Sequence, residues 1–131
     1  MKLLFKEGDI KIFTRKVTEA DTATFDSGQV HPVYATFAIA RDAEWACRLF
    51  VLEMKEDDEE GIGTFVSVNH TSPALVGEEV VFEAVVTKIE KNEIVCSYTA
   101  TCGNRIIANG DNKQKILKKT RVEQIFSEIE K

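Results

Sequence analysis

The segment from Ala35 to Met54 constrains the fold of this chain most, because about twenty residues pass without a glycine or a proline. A spacing of ~100° per residue collects its apolar side chains on one wide stripe. That stripe consists of Thr36, Ile39, Ala40, Ala43, Ala46, Cys47, Phe50, Val51 and Met54. Asp42 and Glu53 point in another direction. A stripe this wide predicts a long and largely enclosed helix.

A pattern of period two replaces the helical one beyond Gly61. It places Ile62, Thr64, Val66, Val68 and His70 on a common face. Three more strand-like segments follow, Val80 to Ile89, Ile94 to Ala100 and Arg105 to Leu117, joined by short turns. Gly110 is expected to mark a bulge in the last of them. An earlier strand is predicted from Asp9 to Val17.

The chain is expected to form one domain, residues 1–131, with a short C-terminal helix over residues 120–130. Thr120 and Glu123 have the spacing of a capping box at the start of that helix. One long apolar helix and one antiparallel sheet can bury their apolar faces only against each other. The predicted fold is therefore α+β, a hot-dog-like domain whose sheet wraps around the central helix.

Composition excludes several classes of function. A formal net charge of -5 gives no basic surface for a nucleic acid. No apolar run approaches the ~20 residues of a membrane span, and the apolar start is too short for a signal peptide. The three cysteines form no C-x-x-C pair, so we expect reduced thiols in a cytoplasmic protein. They and the two histidines lack the spacing of a metal site, and the acidic run at residues 55–60 is expected to be a solvated loop.

Glu44 is the unusual residue of the predicted helix, because a carboxylate there lies at the edge of the apolar stripe. One interpretation is an exposed side chain paired with Arg48 or Arg41 on the same helix. The other is a partly buried, reactive carboxylate. Helix geometry alone leaves both interpretations open.

Two further positions could carry chemistry. His70 is either a structural histidine on an apolar face or a group that moves protons near neutral pH. Thr36 opens the helix, where it either caps the first turn or donates a hydroxyl near a developing oxyanion. His31, just before Pro32, is a further candidate, although no acidic residue lies near it in sequence.

Three short segments together carry a resemblance to a known family: Val33-Tyr34-Ala35-Thr36, Glu44-Trp45-Ala46-Cys47 and Val68-Asn69-His70-Thr71. Over roughly residues 8–118 the chain resembles the hot-dog thioesterases typified by fluoroacetyl-CoA thioesterase. In that family a Thr opens the central helix, a Glu lies further along it, and a His lies on the next strand. The same order holds here, so the resemblance implies that Thr36, Glu44 and His70 are catalytic.

The chain departs from the family pattern at two places. Fluoroacetyl-selective members carry a phenylalanine-rich lid before the helix, whereas residues 19–29 offer only Phe25. Family members often have Thr-His in the last core strand, where this chain has Asp111 and Asn112. The resemblance thus implies the fold and the acyl-CoA chemistry, but not selectivity for a fluorinated acetyl group.

The expected function is hydrolysis of a short- or medium-chain acyl-CoA, a small-molecule substrate, to free acid and CoA. The alternative is a non-catalytic acyl-CoA-binding or regulatory hot-dog module. A dehydratase or hydratase is disfavoured, because its chemistry normally uses a histidine a few residues from an acid on the helix. This helix contains no histidine. No cofactor is expected, since CoA is part of the substrate and its thiolate leaves readily.

The resemblance also implies an assembly of two chains, or of a higher even number, because a single sheet leaves an edge strand and the pocket open. Candidates for binding the phosphates of CoA are the basic residues near the C-terminus: Lys113, Lys115, Lys118 and Arg121.

Overall fold

The long helix α1 spans Thr36–Met54, within one residue of the predicted segment, and the sheet curls around it. In the computed structural model, which describes residues 1–130, α1 packs against five of the strands. Seven of the nine predicted stripe residues are fully buried, while Thr36 is exposed and Ala40 half-buried. Asp42, which lies outside the predicted stripe, is also buried, and two arginines bind its carboxylate. No helix within residues 1–130 is long and apolar enough to cross a membrane.

Residues 1–130 contain eight strands: β1 Ile10–Lys16, β2 Thr22–Phe25, β3 Gly28–Tyr34, β4 Glu59–Val66, β5 Asn69–His70, β6 Glu79–Glu90, β7 Glu93–Cys102 and β8 Arg105–Lys118. The main sheet has the order β1-β6-β7-β8-β4, and every pairing is antiparallel. The short β5 pairs with β8. A separate hairpin, β2 and β3, occupies the stretch before α1, including residues that sequence analysis left without strands.

The predicted common face of β4 is wrong in its first half. A register shift between Gly63 and Phe65 inserts one residue opposite β8, so the alternation reverses at Thr64. Gly61 and Gly63 therefore lie against α1. A Cβ atom at Gly61 would overlap the side chain of Val51, and one at Gly63 would overlap the carboxylate of Glu44. The two glycines let the helix approach the strand closely.

Gly110 is not a bulge, contrary to prediction, because it pairs with Tyr98 in regular register and the shift falls between Ala100 and Thr101. Its role is close approach: a Cβ atom there would overlap the carbonyl oxygen of Ser67. The Tyr98 hydroxyl donates to that same carbonyl at 2.7 Å. These contacts fix the short connection between β4 and β5, and hence the start of the segment that carries His70.

The C-terminal helix α2 spans Lys119–Ile129 and continues directly from β8. The predicted capping box was wrong, since Lys118 is the N-cap residue and no side chain caps the helix. The Lys119 N–H donates instead to the Asp58 carbonyl at 2.8 Å. The acidic run is also only partly a solvated loop, because Glu59 begins β4 and is buried.

Candidate active site

Thr36 and His70 meet at the N-terminus of α1. The Thr36 Oγ1 atom lies 2.9 Å from His70 Nδ1, a hydrogen-bond distance. Thr36 is the first residue of the helix, while Ala35 occupies the N-cap position. The capping interpretation of Thr36 was therefore wrong, and its hydroxyl contacts the imidazole instead.

The first turn of α1 keeps its donors free for a ligand. No side chain caps the helix, and no acidic residue lies in its first turn. The first N–H groups of a helix have no intrahelical acceptor, and the helix dipole places partial positive charge at this end. A carbonyl oxygen that gains negative charge would be stabilised here.

The other ring nitrogen of His70 has no partner. His70 Nε2 is buried without a hydrogen bond, and among residues 1–130 only Gln114 Oε1 shares that condition among side-chain polar atoms. Buried polar atoms are nearly always satisfied, so an unpaired imidazole nitrogen is free for a substrate or water. A shallow cavity of about 250 Å³ is lined by His70, Thr71, Ser72 and Pro73.

Glu44 lies on α1, two helical turns after Thr36, and faces β4 and β8. Its carboxylate rests over Gly63, and Oε1 is 3.5 Å from the Asn112 amide nitrogen. The proposed pairing of Glu44 with an arginine was wrong: Arg48 binds the Gly61 carbonyl, and Arg41 binds aspartates. Glu44 is half-buried, and within the described residues its carboxylate forms no ion pair.

A buried polar cluster that sequence analysis missed lies on the other flank of α1. Asp42 is fully buried and accepts hydrogen bonds from Arg15, Arg41 and the Tyr34 hydroxyl. Burial and the bond to Asp42 raise the pKa of Tyr34 well above its usual range. The cluster joins β1, β3 and α1, so it holds the junction that presents Thr36. Arg15 and Asp42 are 27 residues apart in the chain, and no pattern in the sequence indicates that they form this cluster.

Two of the three cysteines are buried in the core. Cys47 and Cys96 are buried and free. A hydrogen bond with Cys96, together with burial and the nearby negative charge of Glu44, raises the pKa of the Cys47 thiol far above its usual range. The thiolate is the reactive form of cysteine, so Cys47 is inert at neutral pH.

The remaining sequence candidates all have exposed side chains. His31 is exposed on β3. Lys113 and Lys115 are exposed on β8, Lys118 pairs with Asp58 at 2.8 Å, and Arg121 binds Gln124 within α2.

Comparison with known proteins identifies the family. Residues 17–120 match the family FlK, described as fluoroacetyl-CoA-specific thioesterase. The chain belongs to this family. It is a thioester hydrolase of the acyl-CoA thioesterase class, and its α+β architecture is the hot-dog fold. No curated protein matches the chain in sequence.

Solved structures agree with the family assignment. A Thermus thermophilus hypothetical protein of the thioesterase superfamily is 35% identical, with a TM-score of 0.90 over 95% of this chain and 93% of that one. The fluoroacetyl-CoA thioesterase FlK is 20% identical, with a TM-score of 0.86 over 95% and 96% of the two chains. A hot-dog-like protein from Thermanaerovibrio acidaminovorans is also 20% identical, with a TM-score of 0.86 over 95% and 93%.

Proposed function

We propose that this member of the FlK family hydrolyses short- or medium-chain acyl-CoA thioesters, with Thr36, Glu44 and His70 as its catalytic residues. The observation that carries the proposal is the 2.9 Å contact between Thr36 Oγ1 and His70 Nδ1 at an uncapped helix N-terminus. It combines free backbone donors, a hydroxyl and an imidazole at one point.

The thioester carbonyl would lie against the first turn of α1. When a nucleophile adds to the carbonyl carbon, negative charge develops on the oxygen. Backbone N–H groups already aimed at that position stabilise the charge without reorganisation. In this arrangement the Thr36 hydroxyl supports both the oxyanion and the imidazole.

Glu44 would supply the attacking group, and two routes fit its chemistry. In one, the carboxylate adds to the carbonyl carbon, expels the CoA thiolate and forms an anhydride, which water then hydrolyses. In the other, the carboxylate removes a proton from water, and the resulting hydroxide adds directly. Both routes yield free acid and CoA, and both need a carboxylate that no cation neutralises.

His70 would handle the proton that the reaction transfers. Its unpartnered Nε2 atom can donate to the departing thiolate or hold the attacking water, since imidazole changes charge near neutral pH. We propose that no cofactor takes part, because the CoA thiolate is a good leaving group without metal or redox assistance.

The hairpin before α1 bears on substrate size. Phe25 ends the first strand of this hairpin, and its ring packs edge-to-face on Phe37 of α1 with centroids 5.9 Å apart. Solved structures of FlK include complexes with fluoroacetate and CoA. Since the lid stretch here offers a single phenylalanine, we propose little preference for a fluorinated acetyl group over acetyl and other short chains.

We further propose a cytoplasmic homodimer, or a higher even assembly, in which two chains share each site. Eight residues of helix separate Thr36 from Glu44, or ~12 Å along the axis, so one chain does not place the carboxylate beside the Thr36–His70 pair. The edge of β4 has no partner strand in the described chain, and it presents exposed Phe65 and Val66. Such an edge can pair with a second copy.

A thiol-release assay over a panel of acyl-CoAs tests the proposal. We expect turnover of acetyl- through medium-chain thioesters, with fluoroacetyl-CoA hydrolysed at a rate similar to that of acetyl-CoA. A rate for fluoroacetyl-CoA far above those of the other short chains would refute the proposed selectivity. Tight binding without thiol release would instead establish the non-catalytic binding module.

A further inference from the structure

We propose that Asn112 and Gln114 of β8 are positioning residues that orient the Glu44 carboxylate, an inference that rests on the proposed function of Glu44. Both amides are 1% exposed. They lie two residues apart on one strand, so they share the face that packs against α1. The family resemblance marked Asn112 only as part of a departure from the family's Thr-His pattern, and it did not involve Gln114.

The hydrogen bonds of Gln114 determine which way Asn112 points. Gln114 Nε2 donates to Asn112 Oδ1 at 2.8 Å and to the backbone carbonyl of Glu44 at 3.2 Å. Because the Asn112 oxygen accepts from Gln114, the NH₂ group of Asn112 must face the other way. It donates to the Phe65 carbonyl at 2.9 Å and lies 3.5 Å from Glu44 Oε1.

The result is a directed chain of donors that ends at the carboxylate. Gly63 forms the floor under Glu44, because a side chain there would overlap the carboxylate. Asn112 faces Oε1 from the adjacent strand, so Oε2 remains available for the reaction. An amide holds the carboxylate in place without the bidentate ion pair that an arginine would form.

Stability alone does not account for these two amides. Burying an amide costs free energy unless every polar atom finds a partner, and Gln114 Oε1 has none. The neighbouring inward positions of β8 are apolar, Ala108 and Ile116. A hydrophobic pair at 112 and 114 would fill the same space without that cost, so the amides are better explained by their contact with Glu44.

A double-mutant cycle tests the inference. Asn112→Asp keeps the shape of the side chain but replaces the NH₂ donor with an oxygen that repels Glu44. We expect kcat to fall roughly 10- to 100-fold with KM changed less than about twofold, since the orientation matters in the transition state. In a Glu44→Gln background the same change should cost nothing further, because Asn112 acts only through Glu44.

Matched variants separate positioning from folding. Asn109→Asp makes the same change on the exposed face of β8 and should leave kcat normal. Gln114→Met keeps the volume but frees the Asn112 amide to rotate, so it should lower kcat while the far-UV circular dichroism stays unchanged. A folded Asn112→Asp protein with wild-type kcat, or additive losses in the cycle, would overturn the inference.

A spectroscopic readout keeps the inference distinct from the proposed function. In ¹⁵N-labelled protein, Glu44→Gln should shift the side-chain NH₂ resonances of Asn112 but leave those of Asn109 in place. If the wild-type protein releases no thiol from any acyl-CoA, the proposed function fails, and these resonances alone decide whether Asn112 contacts Glu44. Unmoved Asn112 resonances would refute the contact whatever the activity.

Discussion

Thr36 Oγ1 and His70 Nδ1 lie 2.9 Å apart although 34 residues separate them in the chain. Their meeting depends on two local features that carry no chemistry. The Asp42 cluster anchors the β3–α1 junction just before Thr36, and the contact of Gly110 with Ser67 fixes the connection before His70. The contact between Thr36 and His70 therefore depends on the structure that positions each of the two residues.

Removing only the Thr36 hydroxyl should impair turnover. Thr36→Val preserves the shape of the side chain but loses the bond to His70 Nδ1, so kcat should fall roughly 10²- to 10³-fold, as when one oxyanion-stabilising donor is lost. Thr36→Ser restores the hydroxyl and should retain most of the activity. Equal thiol-release rates for the Val and Ser variants would show that the hydroxyl has no role.

Glu44→Gln keeps the volume of the side chain and removes its charge. If Glu44 is nucleophile or base, kcat should fall by about 10²-fold or more. The control is Glu53→Gln, the same change on an exposed residue of α1 that pairs with Lys11, which should leave kcat normal. Circular dichroism must first show both proteins folded, and a folded Glu44→Gln variant with normal turnover would remove the central claim.

Mixed assemblies should reveal whether two chains share each site. Glu44→Gln and His70→Asn proteins should each be inactive alone. After denaturation and refolding together, half of the dimers are mixed, and a shared site leaves one of their two sites intact. About a quarter of the wild-type activity should then return by random pairing. If all three residues act within one chain, the mixture should stay inactive.

The sequence predicted α1 within one residue, because a long segment without Gly or Pro has one consistent helical period. The prediction for β4 was wrong because Thr64 is an extra residue that reverses the alternation of the strand. A pattern of period two in the sequence does not reveal such an insertion. Glu44 was visible as a carboxylate at the edge of an apolar stripe. The environment of Glu44 could not be predicted, because Gly63 and Asn112 come close to its carboxylate only through the pairing of β4 with β8.

The same limit explains why the burial of Asp42 was not predicted. Helical geometry put its side chain outside the apolar stripe, and the burial of a charge is normally too costly to expect. Arg15 of β1 and Arg41 make that burial possible, but nothing near Arg15 in sequence indicates its partner. Ion pairs between distant elements depend on register, which composition and periodicity do not encode.

Loss of Asp42 should destabilise the fold. Asp42→Ala leaves Arg15, Arg41 and the Tyr34 hydroxyl without their shared acceptor. We expect the free energy of unfolding to fall by about 3 kcal/mol, the low end for breaking a buried pair, because both arginines keep access to solvent. Urea denaturation measures the change. Asp57→Ala, in an exposed loop, should change it little, and equal values for the two variants would contradict the assigned role.

Asp21 should make the stability of the protein sensitive to acid. The residue is buried, which alone would raise its pKa, but hydrogen bonds from Arg41 and Thr18 hold the pKa of this carboxyl below its usual range. The ionised form is thus favoured more in the folded chain than in the unfolded chain. Its contribution is fully present above the unfolded value of ~3.9 and is lost as the pH falls through the lower folded value.

Thermal unfolding of the Asp21→Asn variant tests whether the charge of Asp21 stabilises the fold at neutral pH and ceases to do so in acid. At pH 7 the variant should melt several degrees below the wild type, because the neutral amide cannot replace the charged bonds to Arg41 and Thr18. The difference should shrink as the pH drops below ~3.9, where the wild-type carboxyl also becomes neutral. Asp26→Asn, an exposed residue in the β2–β3 turn, should show no such pH-dependent gap. A gap for Asp21→Asn that stays constant or widens toward low pH would mean that the charge of Asp21 does not stabilise the fold.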